Sequence, residues 1–151
     1  MNLNKNVGET RRIGVEPEVA WDREWCGAST RWTFVDARME NGENDGNRVP
    51  LVPWAHGTTS AWVDPVPEFR LTATYTYVSE QYQGGDEANE FQKMDAYGLF
   101  GLRANLAMSD HVSLVISINN LFDENYATSA YSGGFYLGSG RNFHFGMTLV
   151  Y

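Results

Sequence analysis

The final stretch of the chain, Asn142-Phe143-His144-Phe145-Gly146-Met147-Thr148-Leu149-Val150-Tyr151, alternates between two kinds of side chain. Large apolar residues occupy every second position, and the residues between them are mostly polar or small. Successive side chains of a β-strand point to opposite faces. The pattern therefore predicts a strand with one apolar face and one polar face, ending on the aromatic residue Tyr151.

The same alternation recurs in four further segments. Their apolar sets are Ile13, Val15, Pro17, Val19, Trp21; Phe69, Leu71, Ala73, Tyr75, Tyr77; Phe100, Leu102, Ala104, Leu106, Met108; and Val112, Leu114, Ile116, Ile118. The opposite faces carry the charged residues Arg12, Glu16, Glu18, Arg70 and Arg103. Two segments with weaker alternation cover 29–40 and 51–63. We predict an all-β fold: an antiparallel up-and-down meander of about seven amphipathic strands.

Connections between these strands alternate in length. The short ones are predicted at 22–28, 64–67 and 109–111, and the long ones at 41–50, 83–95 and 123–140. Transmembrane barrels have short turns at one end and long loops at the other, with strands of roughly 9 to 11 residues. Pro17 lacks an amide donor, so we expect it at a sheet edge or a bulge.

Composition excludes several classes of function. The net charge is −8, and the 11 Lys and Arg residues are scattered, which argues against a nucleic-acid partner. The single cysteine, Cys26, forms no internal disulfide and is predicted to be an inert loop residue. The histidines, His56, His111 and His144, lack metal-ligand spacing, so we predict no metal, no cofactor and no catalytic residue.

Two environments fit an apolar face of this kind. A soluble or secreted all-β ligand-binding module buries it as a core, whereas a membrane barrel turns it toward lipid. Aromatic positions favour the barrel, because Trp and Tyr concentrate where hydrocarbon meets head groups. The meander puts Trp21, Trp32, Trp62, Phe69 and Tyr151 near the short-turn end, and Tyr75, Tyr77, Phe100 and Phe143 toward the other.

Four passages resemble the C-terminal strands of TonB-dependent outer-membrane receptors. They are Asn6-Val7-Gly8 with Gly14-Val15-Glu16; Val49-Pro50-Leu51-Val52-Pro53 with His56; Tyr77-Val78 with Tyr82, Asn89, Asp95, Ala96 and Tyr97; and Asn120-Leu121-Phe122-Asp123 with Tyr126. They occur in the family's order, and with the terminal aromatic they extend the resemblance from about residue 6 to residue 151.

The resemblance implies that 1–151 is a partial barrel, the last strands of about 22 that surround a plugged lumen. Signal peptide, plug domain and TonB box would precede it, so we expect no transport by this chain alone. The implied function is uptake of a ferric siderophore or a similar scarce ligand across the bacterial outer membrane. The implied partners are outer-membrane lipid, the barrel-insertion machinery and, through the N-terminal part, TonB. Gly146, Leu149 and Tyr151 match the terminal insertion signal.

Other candidate sites lie in the predicted loops and on the polar face. Tyr131, Phe135 and Tyr136 lie in a glycine-rich segment that is expected to be a flexible outer loop, and two interpretations stay open: ligand contact by stacking, or a purely structural loop. Asp86, Glu87 and Glu90 are acidic and are expected to form a solvated loop rather than a cation site. Glu16 and Glu18 are two residues apart on one face, which fits a lumen wall better than an acid–base pair. His144 is expected to be a hydrogen-bonded lumen residue.

Overall fold

A computed structural model of the chain describes residues 8–131 and 133–151. Asn6 and Val7, from the first family-like passage, lie outside the described residues. The described residues form ten strands: β1 (Glu9–Val15), β2 (Glu18–Asp22), β3 (Cys26–Glu40), β4 (Ala55–Val66), β5 (Phe69–Val78), β6 (Tyr97–Ser109), β7 (Val112–Asn119), β8 (Ala127–Tyr131), β9 (Gly134–Leu137) and β10 (Asn142–Leu149). No helix in these residues has the length and apolarity needed to cross a membrane.

Eight of the strands form one antiparallel sheet. Its order is β1-β3-β4-β5-β6-β7-β10, and β2 pairs with β3 as a continuation of β1. Strands adjacent in sequence are adjacent in space, apart from the insertion of the β8–β9 hairpin before β10. The predicted meander of about seven amphipathic strands is confirmed, with β1 and β2 together forming its first member.

Pro17 explains why the first member is divided. Val15 pairs with Phe34 and Glu18 pairs with Arg31, so the register continues unchanged across the break. The Trp32 amide donates to the Pro17 carbonyl at 3.1 Å, but Pro17 has no N–H to return the bond. Within the described residues this strand pairs on one side only, so the placement of Pro17 at an edge or a bulge stays a prediction.

Cross-strand register confirms the predicted division into two faces. Leu71 pairs with Ala104, Ala104 with Ile116, and Ile116 with Phe145, so these side chains share one face. Neighbouring polar positions pair in the same way on the other face. The apolar face is exposed along its length, with Phe145 at 70% of its maximal accessibility. A soluble sandwich or small barrel would bury this face, so the structure disfavours that alternative.

Several boundaries differ from the predictions. β3 begins at Cys26, so Cys26 is a strand residue and its prediction as a loop residue is wrong. β4 begins at Ala55 and runs through a bulge to Val66, which shifts it from the predicted 51–63. The predicted loop 123–140 contains the β8–β9 hairpin, so it is not a structureless segment.

Two tryptophans also differ from their predicted surroundings. Trp32 stacks on Phe34 at 6.0 Å between ring centroids and contacts Tyr77 at 5.9 Å, so it lies in the aromatic group near the long loops. Its assignment to the short-turn end is wrong. Trp62 does lie near the short turns, but its register partner Thr72 places it on the polar face. There it packs under the Arg70 guanidinium, 3.9 Å from the ring centroid.

A small cluster of buried residues lies at the long-loop end. It contains Ala37, Met39 and Val49, with Val35 and Val52 packed against it. The amide of Val49 donates to the carbonyl of Ala37 at 3.1 Å, which ties the β3–β4 loop to β3. The β3–β4 loop is therefore anchored to the sheet at this end.

Candidate functional site: the polar face and the long loops

The polar face is a continuous hydrogen-bonded surface. Thr58 and Thr76 bring their hydroxyl oxygens to 3.3 Å across β4 and β5, and the next pair, Ser60 and Thr74, are at 3.2 Å. Such cross-strand pairs stabilise a sheet while leaving the surface hydrophilic. The arrangement fits a wall that faces water or another polar protein surface.

Two arginines on this face are paired with carboxylates. Arg31 donates to Glu18 through Nη2 at 2.8 Å and Nε at 3.1 Å, and Arg70 donates to Asp64 through Nη2 at 2.7 Å and Nε at 2.8 Å. The Glu18 carboxylate is thus held by a bidentate arginine, and Glu16 lies in the break between β1 and β2.

A shallow groove of about 320 Å³ lies further along the polar face. Arg103, Ser117 and Asn119 form part of its lining. His144, on the adjacent strand, has Nε2 2.8 Å from Asn142 Oδ1, and that oxygen also accepts from Asn119 Nδ2 at 3.0 Å. The prediction of His144 as a hydrogen-bonded residue is confirmed. Residues 8–131 and 133–151 contain no group of three or more His, Cys, Asp or Glu suited to a metal ion.

The loop between β5 and β6 is folded around Asp86. Asp86 is 3% exposed, and its carboxylate accepts hydrogen bonds from the amides of Glu90 at 2.8 Å and Phe91 at 3.1 Å. Asn89 links this loop to its neighbour, since its side chain accepts from the Arg48 amide and donates to the Arg48 carbonyl. The expectation of a solvated acidic loop is wrong for Asp86, which is buried and holds the backbone of its own loop.

The loop before β10 is closed at its base by Asn120. Its Oδ1 accepts from the Glu124 amide at 2.8 Å, and its Nδ2 donates to the carbonyls of Glu124 at 2.9 Å and Ser139 at 3.1 Å. Asp123 also closes the loop, since its Oδ1 accepts a hydrogen bond from the Arg141 amide at 2.7 Å. These two residues join the start of the loop to its end. The sequence drew attention to this motif, but spacing alone gave no indication that it closes a loop.

Tyr131, Phe135 and Tyr136 lie together in the β8–β9 hairpin. Ala130 pairs with Phe135, and the rings of Tyr131 and Tyr136 meet edge to face at 5.9 Å between centroids. Phe135 and Tyr136 are more than 60% exposed. Tyr131 and Tyr136 therefore form an aromatic pair on one face of the hairpin, and Phe135 lies with Ala130 on the other face.

Gly84 positions this hairpin against the neighbouring loop. Its amide donates to the Ala130 carbonyl at 2.7 Å, and it forms a parallel bridge with Tyr131. A Cβ at Gly84 would overlap the Tyr131 ring, so only glycine permits this close approach without a shift. The two longest loops thus support each other at the outer end of the sheet.

The residues of the predicted insertion signal lie on and after β10. Gly146 pairs with Val115 on the polar face, and Leu149 pairs with Val112 on the apolar face. Beyond the strand, the Val150 amide donates to the His111 carbonyl at 2.9 Å, and Tyr151 is fully exposed. Within the described residues, β10 pairs only with β7, so its other edge is open.

Comparisons with known proteins agree with this architecture. A family model described as "TonB dependent receptor-like, beta-barrel" matches residues 2–121. The vitamin B12 transporter BtuB of Vibrio vulnificus (strain YJ016) is 40% identical over 143 residues, which cover 79% of this chain and 23% of the relative. The probable TonB-dependent siderophore receptor PiuA of Acinetobacter baumannii is 27% identical, covering 84% and 19%.

Solved structures show the same fold. The ferric yersiniabactin uptake receptor FyuA from Yersinia pestis superposes with a TM-score of 0.83 at 20% identity, over 99% of this chain and 25% of that one. The chain thus spans roughly a fifth to a quarter of the proteins that it matches. The family model covers most of its length, and the family consists of transporters and receptors rather than enzymes. The chain belongs to the TonB-dependent receptor β-barrel family of the bacterial outer membrane.

Proposed function

We propose that this chain is the C-terminal barrel segment of an outer-membrane receptor that imports a ferric siderophore or a similar scarce ligand. In this proposal, residues 1–151 supply the last strands of the wall, and the remaining strands, the plug and the TonB contact belong to the rest of the receptor. The chain does not transport by itself, because one wall segment neither encloses a lumen nor contacts TonB.

The observation that carries the proposal is the two-faced sheet, whose outermost strands pair on one side only among residues 8–131 and 133–151. The exposed apolar face is suited to contact with lipid hydrocarbon, and the polar, hydrogen-bonded face is suited to a hydrated lumen. Backbone groups at an open edge cost several kcal/mol each in hydrocarbon, so such a sheet requires further strands to close it. In this proposal the rest of the receptor supplies those strands. The whole protein, with its barrel and plug, is called the complete receptor below.

The aromatic hairpin supports a ligand-binding role for the loop end. Tyr131, Phe135 and Tyr136 present rings to the outside on a hairpin fixed by Gly84 and Asn120. Rigid aromatic side chains supply contact area at low entropic cost, and each stacking contact contributes about 0.5–1.5 kcal/mol. The named relatives are receptors for vitamin B12 and siderophores, which supports a large ligand with flat or conjugated parts.

Uptake by the complete receptor tests this role. Cells expressing it are supplied separately with iron-59-labelled siderophores and with cobalt-57 cyanocobalamin. Replacing Tyr131, Phe135 and Tyr136 by alanine removes up to three stacking contacts. We expect this to raise the probe concentration that gives half-maximal uptake by roughly ten- to a thousandfold. Phe122→Ala is the matched control, because Phe122 packs against Phe100 on the apolar face. Equal uptake by the triple variant and the control would refute ligand contact by the hairpin, and no uptake of any probe would refute the transport proposal.

We propose also that Gly146, Leu149 and Tyr151 act in recognition by the barrel-insertion machinery. The open edge of β10 and the exposed terminal ring support this reading, because an insertion factor can contact both. Deleting Tyr151 is expected to lower the amount of folded receptor in outer-membrane fractions severalfold, while Val150→Thr leaves it unchanged. Heat-modifiable migration on gels measures the folded fraction. Normal yields without Tyr151 would contradict the proposal.

A further inference from the structure

Three connections come together around Gly84 at the outer end of the sheet. They are the β3–β4 loop (41–54), the β5–β6 loop (79–96) and the β8–β9 hairpin (127–137). Gly84 is buried, and the position that a Cβ would take on it overlaps the Tyr131 ring and lies 3.0 Å from Leu51 Cδ1. One residue from each of the other two connections therefore packs against Gly84, and the missing side chain leaves the space for both.

Hydrogen bonds join the β3–β4 loop to the β5–β6 loop. They run from the Leu51 amide to the Tyr82 carbonyl at 2.9 Å, from the Arg48 amide to Asn89 Oδ1 at 2.8 Å, from Asn89 Nδ2 to the Arg48 carbonyl at 3.0 Å, and from Asn47 Nδ2 to the Glu87 carbonyl at 3.0 Å. Asn89 thus bonds both backbone groups of Arg48, as a residue on a neighbouring strand would. The two loops are therefore held in a defined register.

The backbone of Leu51 indicates how firmly this junction is held. Its φ is 57°, in the left-handed region that residues with a Cβ rarely adopt. Such a conformation persists only where the surrounding structure over-determines it. Here the Leu51 amide is bonded to Tyr82 and the side chain lies against Gly84, so the β5–β6 loop fixes both the backbone and the side chain of the strained residue.

The β5–β6 loop is itself ordered enough to connect the other two. Its arms pair through Gln81 and Met94, whose amides donate to each other's carbonyls at 3.3 Å and 2.8 Å. Each of the three connections also buries an apolar residue: Val49, Met94 and Ala130. Proteins open locally in cooperative units of contiguous structure. These contacts make the three connections contiguous with one another.

We infer that the β3–β4 loop, the β5–β6 loop and the β8–β9 hairpin form one cooperative unit, the outer rim, which opens as a whole rather than loop by loop. Among the described residues, no hydrogen bond joins the β3–β4 loop directly to the hairpin, so the β5–β6 loop transmits the coupling through Gly84. A contact made at the aromatic hairpin thereby changes the opening of the β3–β4 loop, because a shared local unfolding equilibrium couples separate sites. The inference goes beyond the proposed function, since it depends on contacts within this chain and on no ligand.

Hydrogen exchange of the complete receptor, in detergent and without ligand, tests the inference when it is followed by mass spectrometry. Leu51→Ala shortens a side chain at the junction while keeping a residue with a Cβ at the positive φ. It is expected to speed amide exchange on the order of tenfold, equivalent to about 1.4 kcal/mol, in 127–137 as well as in its own loop. Glu43→Ala, at an exposed position of the same loop, is the matched control and should change neither segment.

A second variant perturbs the junction from the β5–β6 loop. Gly84→Val should speed exchange in 41–54 and in 127–137 by a common factor. Gly85→Asn, at the adjacent position with no atom near its Cβ, should change neither. Folding of each variant is checked by heat-modifiable migration.

Three results would overturn the outer rim. The first is acceleration confined to the loop that carries Leu51→Ala, or an effect of Gly84→Val on the hairpin without one on 41–54. The second is equal acceleration throughout β6 and β7, because the loops would then open only with the sheet. The third is unchanged exchange in both variants. The transport proposal is tested separately by uptake, because these measurements contain no ligand.

Discussion

Replacing Asn120 by alanine should release the β8–β9 hairpin from the base of its loop. The side chain makes three hydrogen bonds, at 2.8, 2.9 and 3.1 Å, and is 5% exposed. Each bond contributes about 1 kcal/mol net. Asn120 also has a φ of 51°, a conformation that costs alanine about 1 kcal/mol more. The substitution should therefore cost about 3–4 kcal/mol, concentrated in the loop.

Hydrogen exchange of the amides in 127–137, in the detergent-solubilised complete receptor, measures this opening. A loss of about 3 kcal/mol corresponds to exchange that is more than a hundredfold faster, up to the rate of an unprotected loop. Asn120→Gly separates the two causes, because glycine tolerates the positive φ but lacks the side chain, so its effect should be about 1 kcal/mol smaller. Asn119→Ala, which removes one exposed hydrogen bond to Asn142, is the matched control.

Unchanged protection of the hairpin in Asn120→Ala would refute the loop-closing role of this residue. Equal effects of the alanine and glycine variants would refute the contribution of backbone conformation while leaving the hydrogen bonds as the cause. Faster exchange spread evenly over β6, β7 and β10 would show that Asn120 supports the sheet rather than the loop.

Three further substitutions test other contacts. Gly84→Val should displace the Tyr131 ring and raise exchange of the same hairpin amides, whereas Gly85→Asn, at a neighbouring glycine with no atom near its Cβ position, should not. Thr30→Val should lower the free energy of unfolding by about 1–3 kcal/mol, because the Trp32 indole N–H loses its acceptor at 2.8 Å on the lipid side. Thr59→Val removes only the Thr30–Thr59 bond and should lower it by about 1 kcal/mol. Denaturant titration measures both values. Ile116→Lys on the apolar face should cost about 2–4 kcal/mol in refolding into bilayers, and the adjacent Ser117→Lys on the polar face should cost little; equal costs would contradict the assignment of faces.

The two faces of the sheet were predictable from the sequence because a strand has a fixed period of two. Ile116 and Phe145 lie far apart in the chain, yet each could be assigned to the apolar face from its own neighbours, and their pairing follows. The interruption of the first strand at Pro17 has a similarly local reason, the missing amide.

Heights along the barrel axis were less predictable, as Trp32 shows. With a strand assumed to begin at residue 29, Trp32 was placed near the short turn, whereas β3 begins at Cys26. The stagger between tilted strands then brings Trp32 opposite Gly57 and beside Tyr77. The weak alternation of β4 has the same origin: Gly57 is small because the Trp32 ring occupies the space that a Cβ would need.

The defined conformation of the long loops could not be predicted from the sequence, because it depends on contacts between segments that lie far apart in the chain. Gly133, Gly134, Gly138 and Gly140 suggested flexibility, but the hairpin is fixed by Gly84 from another loop and by Asn120 at its base. The sequence predicts Asp86 as one of several solvated acids, whereas the residue is buried because the amides of Glu90 and Phe91 fold back onto its carboxylate.

The most direct test of the central claim is a spin-label scan along β7 in the complete receptor, reconstituted in lipid vesicles with Cys26 replaced by serine. Labels at Leu114, Ile116 and Ile118 are predicted to be accessible to oxygen, which concentrates in hydrocarbon. Labels at Val115 and Ser117 are predicted to be accessible instead to a water-soluble nickel complex. An oscillation of period two in this phase would confirm that the apolar face meets lipid and the polar face the lumen. Uniform accessibility, or the opposite phase, would contradict the account.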